Sequence, residues 1–492
     1  MAKKVVIIGS GFAGLSAACC LAKAGCEVTV LEKNSTPGGR ARQLQAEGFH
    51  FDMGPSWYWM PDVFERFFAE FDKKPRDFYD LVRLDPSYRV FFEGKNIMDL
   101  PAGVDAVQSC FENIEPGSSP KLQQFLAAAQ FKYEFGMREF VHRPGHSPLE
   151  FFDLRVFKAV FRLQLFRSIS REVRSLFKDS RLVRLLEFPV LFLGSTPEKT
   201  PALYSLMNYA DMVLGTWYPM GGMAKIVDAM FELALEMGVK FEFGCKVEKI
   251  QVENGRVTKL LALGGREFAA AAVVAAADYH HVEQELLEKQ HRQYSERYWR
   301  SRVMAPSCLL FFLGVKGRLK NLRHHNLFFD SDFRQHAREI YESPVWPSDP
   351  LFYVCAPSVT DTSVAPSGCE NLFVLIPIAS DLADSEAVRE KYYQLVMGRL
   401  EDLTGQNIRD QVVFKQSFGG SDFKSEYHAF RGNAYGLANT LLQTAFLKPK
   451  MKNKKVKNLF FAGQLSVPGP GVPPALISGQ IVAKEVLKIL HD

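Results

Sequence analysis

Gly9, Gly11 and Gly14 keep the spacing Gly-x-Gly-x-x-Gly directly after the apolar run Val5-Val6-Ile7-Ile8, and Glu32 comes eighteen residues after Gly14. Residues of these types in this order can hold a dinucleotide. Gly9 permits a tight turn out of a buried strand, Gly11 lets the backbone approach a pyrophosphate, and Gly14 lets the next helix pack closely. Ser10, Phe12 and Ala13 complete the loop, and the helix N-terminus turns its positive dipole end toward the phosphates. Glu32 closes the predicted strand Glu27–Leu31, where a carboxylate accepts hydrogen bonds from a ribose diol; Lys33 adjoins it. A strand before, a helix after and an acid at this distance make the match far more specific than the glycines alone.

NAD and FAD share this fingerprint, and two further segments favour FAD. Gly38-Gly39-Arg40 falls just past the ribose acid, where bare backbone and a guanidinium reach a second part of an extended cofactor. Near the other end, Asn458-Leu-Phe-Phe-Ala-Gly463 reads as a strand running into a glycine, followed by Pro468-Gly469-Pro470-Gly471-Val472-Pro473-Pro474 and a predicted helix Ala475–Leu490. Such a turn offers backbone N–H groups and a helix dipole to the electron-rich edge of a reduced flavin, with Gly463, Gly471, Val472 and Pro473 as contacts. No second Gly-x-Gly-x-x-Gly unit offers a place for NAD.

The elements that must position these residues are scattered. A second instalment of the cofactor domain starts near Trp217-Tyr-Pro-Met-Gly-Gly222. It continues through a predicted helix Met223–Met237, a strand Val239–Phe243, a hairpin Lys246–Val252 and Arg256–Leu263, and the run Ala272–Ala277. In large FAD oxidoreductases such a hairpin presents backbone to adenine, here at Val247. The predicted fold is α/β: a discontinuous Rossmann-type FAD-binding domain (1–85, 212–283 and 452–492), a mixed-sheet substrate domain (86–100 and 284–451), and a helical insertion (101–211). At 492 residues the chain is too long for one core, and 47% hydrophobic with 23% charged residues is a globular composition. Eight cysteines form no CxxC and read as reduced thiols. With no signal peptide expected before the first strand and no run of about 18 apolar residues, a cytoplasmic protein is predicted.

Within the insertion, Arg155–Arg184 carries nine Lys/Arg and two acids, and Arg167, Arg171, Arg174, Lys178 and Arg181 recur at helical spacing. Phe166, Ile169, Val173, Leu176 and Phe177 fall on another face, which predicts one amphipathic basic helix. Two readings stand: a helix packed on the core with a solvated basic face, or an interfacial helix on an anionic surface, peripherally associated with the inner membrane. No RNA- or DNA-binding module accompanies the charge, so no nucleic-acid partner is expected. The doublets His280-His281 and His324-His325 lack a companion Cys or acid at ligand spacing, and no metal site is predicted.

With these pieces placed, the sequence resembles the bacterial-type carotenoid (phytoene) desaturases of the flavin amine-oxidase-like superfamily. The likeness rests on Ile8–Gly14 with Glu32, Pro37-Gly-Gly-Arg-Ala41, Gly48-Phe-His-Phe-Asp-Met-Gly-Pro55, Trp217–Gly222, Ala356–Pro366 and Pro468-Gly-Pro-Gly-Val-Pro473. It departs at Gln464-Leu-Ser-Val and in the aromatic run Ser56-Trp-Tyr-Trp-Met60, which bear on which carotenoid is bound. The resemblance implies non-covalent FAD, a hydrophobic carotenoid drawn from the bilayer, and a quinone or oxygen as electron acceptor. It places Gly54, Pro55 and Ser56 near the flavin and Trp57, Tyr58, Trp59, Trp217 and Tyr218 around the substrate. Asp153 sits where the family has an acid near the tunnel; on its own it reads as a helix cap or surface acid. The reaction implied is desaturation of phytoene towards lycopene. A 3,4-desaturase, a carotenoid cis–trans isomerase, a saturase, an amine oxidase and a prenyl-binding escort protein without FAD remain open.

Overall fold

The structure, a computed structural model, describes residues 3–151 and 163–491, so Asp153 and the basic residues Arg155, Lys158 and Arg162 lie outside it. Five parallel strands form the cofactor sheet, in the order Leu459–Phe461, Ala272–Ala275, Lys4–Ile8, Glu27–Leu31, Lys240–Glu242. Val5 to Ile8 and Ala272 to Ala275 are buried throughout, as a parallel strand covered on both faces must be. The helices Phe12–Lys23, Ala224–Glu236 and Val472–His491 cover one face, packing on Val5, Ile7, Ala272 and Val274. The strands Val247–Glu253 and Arg256–Ala262 cover the other, packing on Val6, Ile8, Val273 and Ala275. The first and last of the three helices cross tightly: a Cβ on Gly479 would stand 2.4 Å from the Ala13 carbonyl oxygen, and the Ser16 hydroxyl donates to the Leu476 carbonyl at 2.8 Å.

The hairpin Val247–Glu253 with Arg256–Ala262 turns at Asn254-Gly255 and gains a third strand, Arg266–Ala269, that its glycine-rich approach concealed in the sequence. A separate seven-stranded mixed sheet runs Val412–Phe418, Ser307–Lys316, Cys369–Ile378, Phe352–Cys355, His325–Phe329, Tyr88–Phe92, Asn96–Leu100. Only His325–Phe329 and Tyr88–Phe92 pair in parallel. Helix Glu386–Thr404 packs Tyr393, Val396, Met397 and Leu400 on one face of this sheet. On the other face Gly314 makes room for Phe49, whose ring a Cβ would meet at 2.5 Å.

The insertion corrects the expectation of one long basic helix. Two short helices, Ile169–Leu176 and Ser180–Glu187, replace it. Ser168 caps the first by accepting from the Arg171 N–H, and Asp179 caps the second by accepting from the Arg181 N–H. Between them Phe177 turns into the core, so a capped break interrupts the helical face. The basic residues are largely committed: Arg174 to Glu187 at 3.1 Å, Arg181 to Asp179 at 2.8 Å, and Arg167 to the Ser175 hydroxyl at 2.6 Å. Arg171, Arg174 and Lys178 are exposed, and Phe166, expected on the packed face, is 90% exposed. Among the described residues no helix is long and apolar enough to cross a membrane.

Candidate cofactor and substrate site

Gly9 leaves the first strand at φ 96° and donates its N–H to the Leu31 carbonyl at 2.8 Å, tying the loop to the second strand. A Cβ on Gly14 would lie 2.0 Å from the Gly9 carbonyl oxygen, so only glycine allows the helix to start so close. Gly11 is different. It is extended, and a Cβ there would meet nothing within 4 Å. Gly39, at φ 55°, faces it, with its own Cβ position 3.5 Å from the Gly11 Cα. Two bare backbones thus border an open space at a helix N-terminus, the shape a pyrophosphate requires.

Glu32 is 5% exposed, and its carboxylate accepts from the Ser10 N–H at 2.9 Å, the Ser10 hydroxyl at 2.8 Å and the Asn34 N–H at 2.9 Å. Its own carbonyl accepts from the Cys245 N–H at 2.8 Å, which brings Val247 and the hairpin beside it. The Lys33 ammonium instead reaches the Ser425 carbonyl, 2.8 Å away. Arg40 lies over the Tyr427 ring at 5.2 Å and reaches the Asn433 carbonyl at 3.4 Å, while its buried Nε has no partner. Burial pulls the Arg40 guanidinium down and Asp278 opposes that shift. Gly54 packs against the Arg40 backbone, where a Cβ would stand 2.6 Å from the carbonyl oxygen.

At the other end, the Gly463 N–H donates to the Ser478 hydroxyl at 2.9 Å, and the Gly463 Cβ position comes within 4.0 Å of Ala13. The last helix starts at Val472 itself rather than Ala475. Pro473 and Pro474 lack N–H groups and Ala475 donates to the Gly471 carbonyl, so the first turn offers fewer donors than its dipole suggests. Asn433 was missed in the sequence, having no motif around it. Its side-chain oxygen accepts from the Gly436 N–H at 2.7 Å and the Gln464 amide at 3.0 Å, joining Arg40 to the C-terminal turn.

The five aromatic residues do not form one wall. Trp57 stacks on His325 with ring centroids 4.1 Å apart and stands 5.2 Å from Trp59, whose indole N–H donates to the Thr216 hydroxyl at 2.8 Å. Tyr58, one residue along an extended segment, points the opposite way. It packs on Phe64 and meets the Tyr79 hydroxyl at 3.0 Å in the core of the cofactor sheet, where Trp217 also packs. Tyr218 donates to the Asp361 carboxylate at 3.3 Å and lines, with Asp52, Ser56, His324, Cys355 and others, a cavity of about 10 Å³. That is room for one water. Asp52 accepts from the Met223 and Ala224 N–H groups at the start of a helix, and burial pushes its carboxyl up to about 7.

Strand pairing also supplies what local spacing could not. His325 lies opposite Cys355, its Nδ1 3.7 Å from the sulfur and 2.6 Å from the Tyr353 hydroxyl, so the histidine doublet does have a companion thiol. Burial pushes the Cys355 thiol up and holds both histidines neutral. His280 and His281 stack on Phe430 and His428.

Residues 12–487 match the model of the family described as flavin containing amine oxidoreductase. The chain belongs to that family. Within it, the chain is 43% identical to a carotenoid 3,4-desaturase of Haloarcula japonica, over 98% of each chain. It is 33% identical to a zeta-carotene-forming phytoene desaturase of Myxococcus xanthus, over 99% of this chain and 95% of the other. The crystal structure of an oxidoreductase from Methanosarcina mazei shares the fold, with a TM-score of 0.61 at 17% identity, covering 99% and 100% of the two chains. This flavin oxidoreductase uses FAD. The open space above Gly11, the glycine pair bordering it and the unpartnered Arg40 Nε fit an extended dinucleotide.

Proposed function

We propose that the chain desaturates a CH–CH unit of an acyclic carotenoid. The observation that carries this is the near-full-length 43% match to a carotenoid 3,4-desaturase, set beside the packed indole pair Trp57 and Trp59. Bound FAD supplies the acceptor for a hydride. Gly11, Gly39, Glu32 and Arg40 hold the cofactor, and the indoles beside Ser56 hold the polyene and exclude water. The polyene spreads the developing positive charge, so the chain's task is placement and no strong base is demanded. Asp153 stays the candidate for receiving the proton. Identity favours the 3,4-position of an already coloured carotene; the 33% relative, zeta-carotene-forming, supports phytoene as the substrate in the second reading, a step on the way towards lycopene.

Anaerobic enzyme in liposomes distinguishes the two. Lycopene is expected to bleach the flavin and phytoene to leave it oxidised; bleaching by phytoene alone moves the assignment to the earlier step, and bleaching by neither refutes both. Addition of a quinone or oxygen is expected to restore the oxidised spectrum.

The substrate reaches the site from an anionic bilayer through the insertion. Phe166 and Leu442, 90% and 78% exposed, support this, and Tyr204 and Thr444 link their segments through hydroxyls 3.5 Å apart. Charge reversal at Arg171 and Lys178 is expected to weaken sedimentation with anionic liposomes, each basic residue contributing about 1 kcal/mol near the surface. Phe166→Ser should weaken it further. Unchanged sedimentation would return the insertion to a packed surface element.

A further inference from the structure

Lys448 is 2% exposed and its Nζ has no hydrogen-bond partner. Asn439, 8% exposed, likewise leaves its Oδ1 unpartnered. The two atoms converge on one point: they stand 3.4 and 3.3 Å from where a Cβ on Gly469 would be. Gly469, at φ 139°, lies in the turn leading into the helix Val472–His491. Burying an amine with no counter-charge costs several kcal/mol. Burial alone pushes Lys448 down to about 7, and no carboxylate opposes it. An isolated donor and an isolated acceptor side by side in the core, with no packing role for either polar head, describe a site that a ligand completes.

The position and the chemistry narrow the ligand. Asn433, six residues before Asn439, bridges to Arg40 and Gln464, so the segment from 433 to 439 runs alongside the turn from Gly463 to Gly469. Arg40 and Gly11 stand at one end of this strip, and Lys448 with Asn439 at the other. A dinucleotide whose pyrophosphate lies at Gly11 reaches the far end of this strip with its ring system when it runs along the Gly463–Gly469 turn. A hydrocarbon polyene has no use for an ammonium beside an amide carbonyl. The imide edge of an isoalloxazine does: its C2 carbonyl and N1 accept, its N3–H donates, and negative charge gathers at N1 and the C2 carbonyl when the ring is reduced.

We propose that Lys448 and Asn439 seat the pyrimidine edge of the FAD ring, the ammonium donating to the N1–C2 carbonyl side and the Asn439 oxygen accepting from N3–H. The inference rests on FAD lying along these loops. Its functional meaning is a flavin made easier to reduce, because a cation meets the charge that reduction creates, in concert with the dipole of the last helix. Lys448 is on this account a residue that tunes the cofactor; it touches no substrate.

The test uses purified holoenzyme and the variants Lys448→Met, Lys448→Arg and Asn439→Asp, read by flavin occupancy and by the equilibrium between bound flavin and a reference redox dye. Lys448→Met is expected to retain flavin and shift that equilibrium about tenfold or more towards the oxidised flavin, the effect of losing one nearby opposite charge. Asn439→Asp, of unchanged shape, pairs with Lys448 and should shift it in the same direction, while Lys448→Arg stays near wild type. Sulfite, whose addition leaves negative charge on the same edge, should bind correspondingly more weakly to Lys448→Met and Asn439→Asp. Flavin-loaded Asn439→Asp and Lys448→Met with the wild-type equilibrium would overturn the proposal. Should both Lys448 variants purify without flavin, an unshifted Asn439→Asp overturns it alone. A wild-type protein that takes up no flavin would instead refute the cofactor reading itself.

Discussion

Gly11→Val is expected to purify folded and colourless. The Gly11 backbone is extended, a conformation any residue adopts, and its Cβ position meets nothing within 4 Å, so the protein itself tolerates the side chain. The valine methyls instead fill the space opposite Gly39 where the pyrophosphate must come. FAD affinity should fall about 100-fold or more, equivalent to roughly 2.7 kcal/mol. Thermal unfolding of the apoprotein should stay within about 1 °C of wild-type apoprotein, since surface substitutions without lost contacts change stability little. Gly14→Ala makes the contrast: its Cβ would sit 2.0 Å from the Gly9 carbonyl oxygen, and the expected loss is of the fold as well as the flavin. Glu32→Ala should also lose FAD, but by a mixed route, because it strands the Ser10 and Asn34 N–H groups that order the loop. Full flavin absorbance in Gly11→Val would show that the pyrophosphate binds elsewhere.

Lys132→Met is expected to cost about 3–5 kcal/mol of stability, the usual result of leaving one partner of a buried ion pair alone. The Lys132 side chain is fully buried, and its three N–H donors are shared among the Gln164 side-chain oxygen at 2.7 Å, the Ala202 carbonyl at 2.8 Å, the Ser205 hydroxyl at 2.9 Å and the Glu172 carboxylate at 3.2 Å. One side chain therefore pins helix Ser119–Glu139 to helix Ile169–Leu176 and to the segment around Ala202. Without it Glu172 stays buried with no counter-charge. A urea titration reads the loss as a lower midpoint. The double variant Lys132→Met with Glu172→Met should regain most of it, because two methionines need no solvation. A single variant as stable as wild type would mean that the insertion is held by its apolar contacts alone.

What could be read without the structure was what is encoded locally. The glycine loop, Glu32, the Asn254-Gly255 hairpin and the strand ending at Gly463 each carry their conformational demand within a dozen residues. The aromatic triplet was half legible: alternation along an extended segment already separates Tyr58 from Trp57 and Trp59. The break in the basic helix also had a local signal, Asp179 placed to cap the helix Ser180–Glu187, but the regular spacing of Arg174, Lys178 and Arg181 masked it. Nothing local marks Lys132, which reads as an ordinary surface lysine until Glu172 folds against it. The same holds for Cys355, Asn433 and Lys448. Their partners come from strands and turns distant in the chain, and single-sequence patterns carry no information on such pairings.

The cofactor sheet takes its strands from the beginning, the middle and the end of the chain, and this orders events during synthesis. Until Leu459–Phe461 leaves the ribosome, strand Ala272–Ala275 presents an open edge, and the groove on helix Phe12–Lys23 that Gly479 fills lies bare. While the residues between Gly14 and Leu459 are being made, the first flavin-binding loop exists and its counterpart does not. Flavin capture therefore waits on strand Leu459–Phe461 and helix Val472–His491, and a product cut before them leaves that strand edge and that apolar groove uncovered.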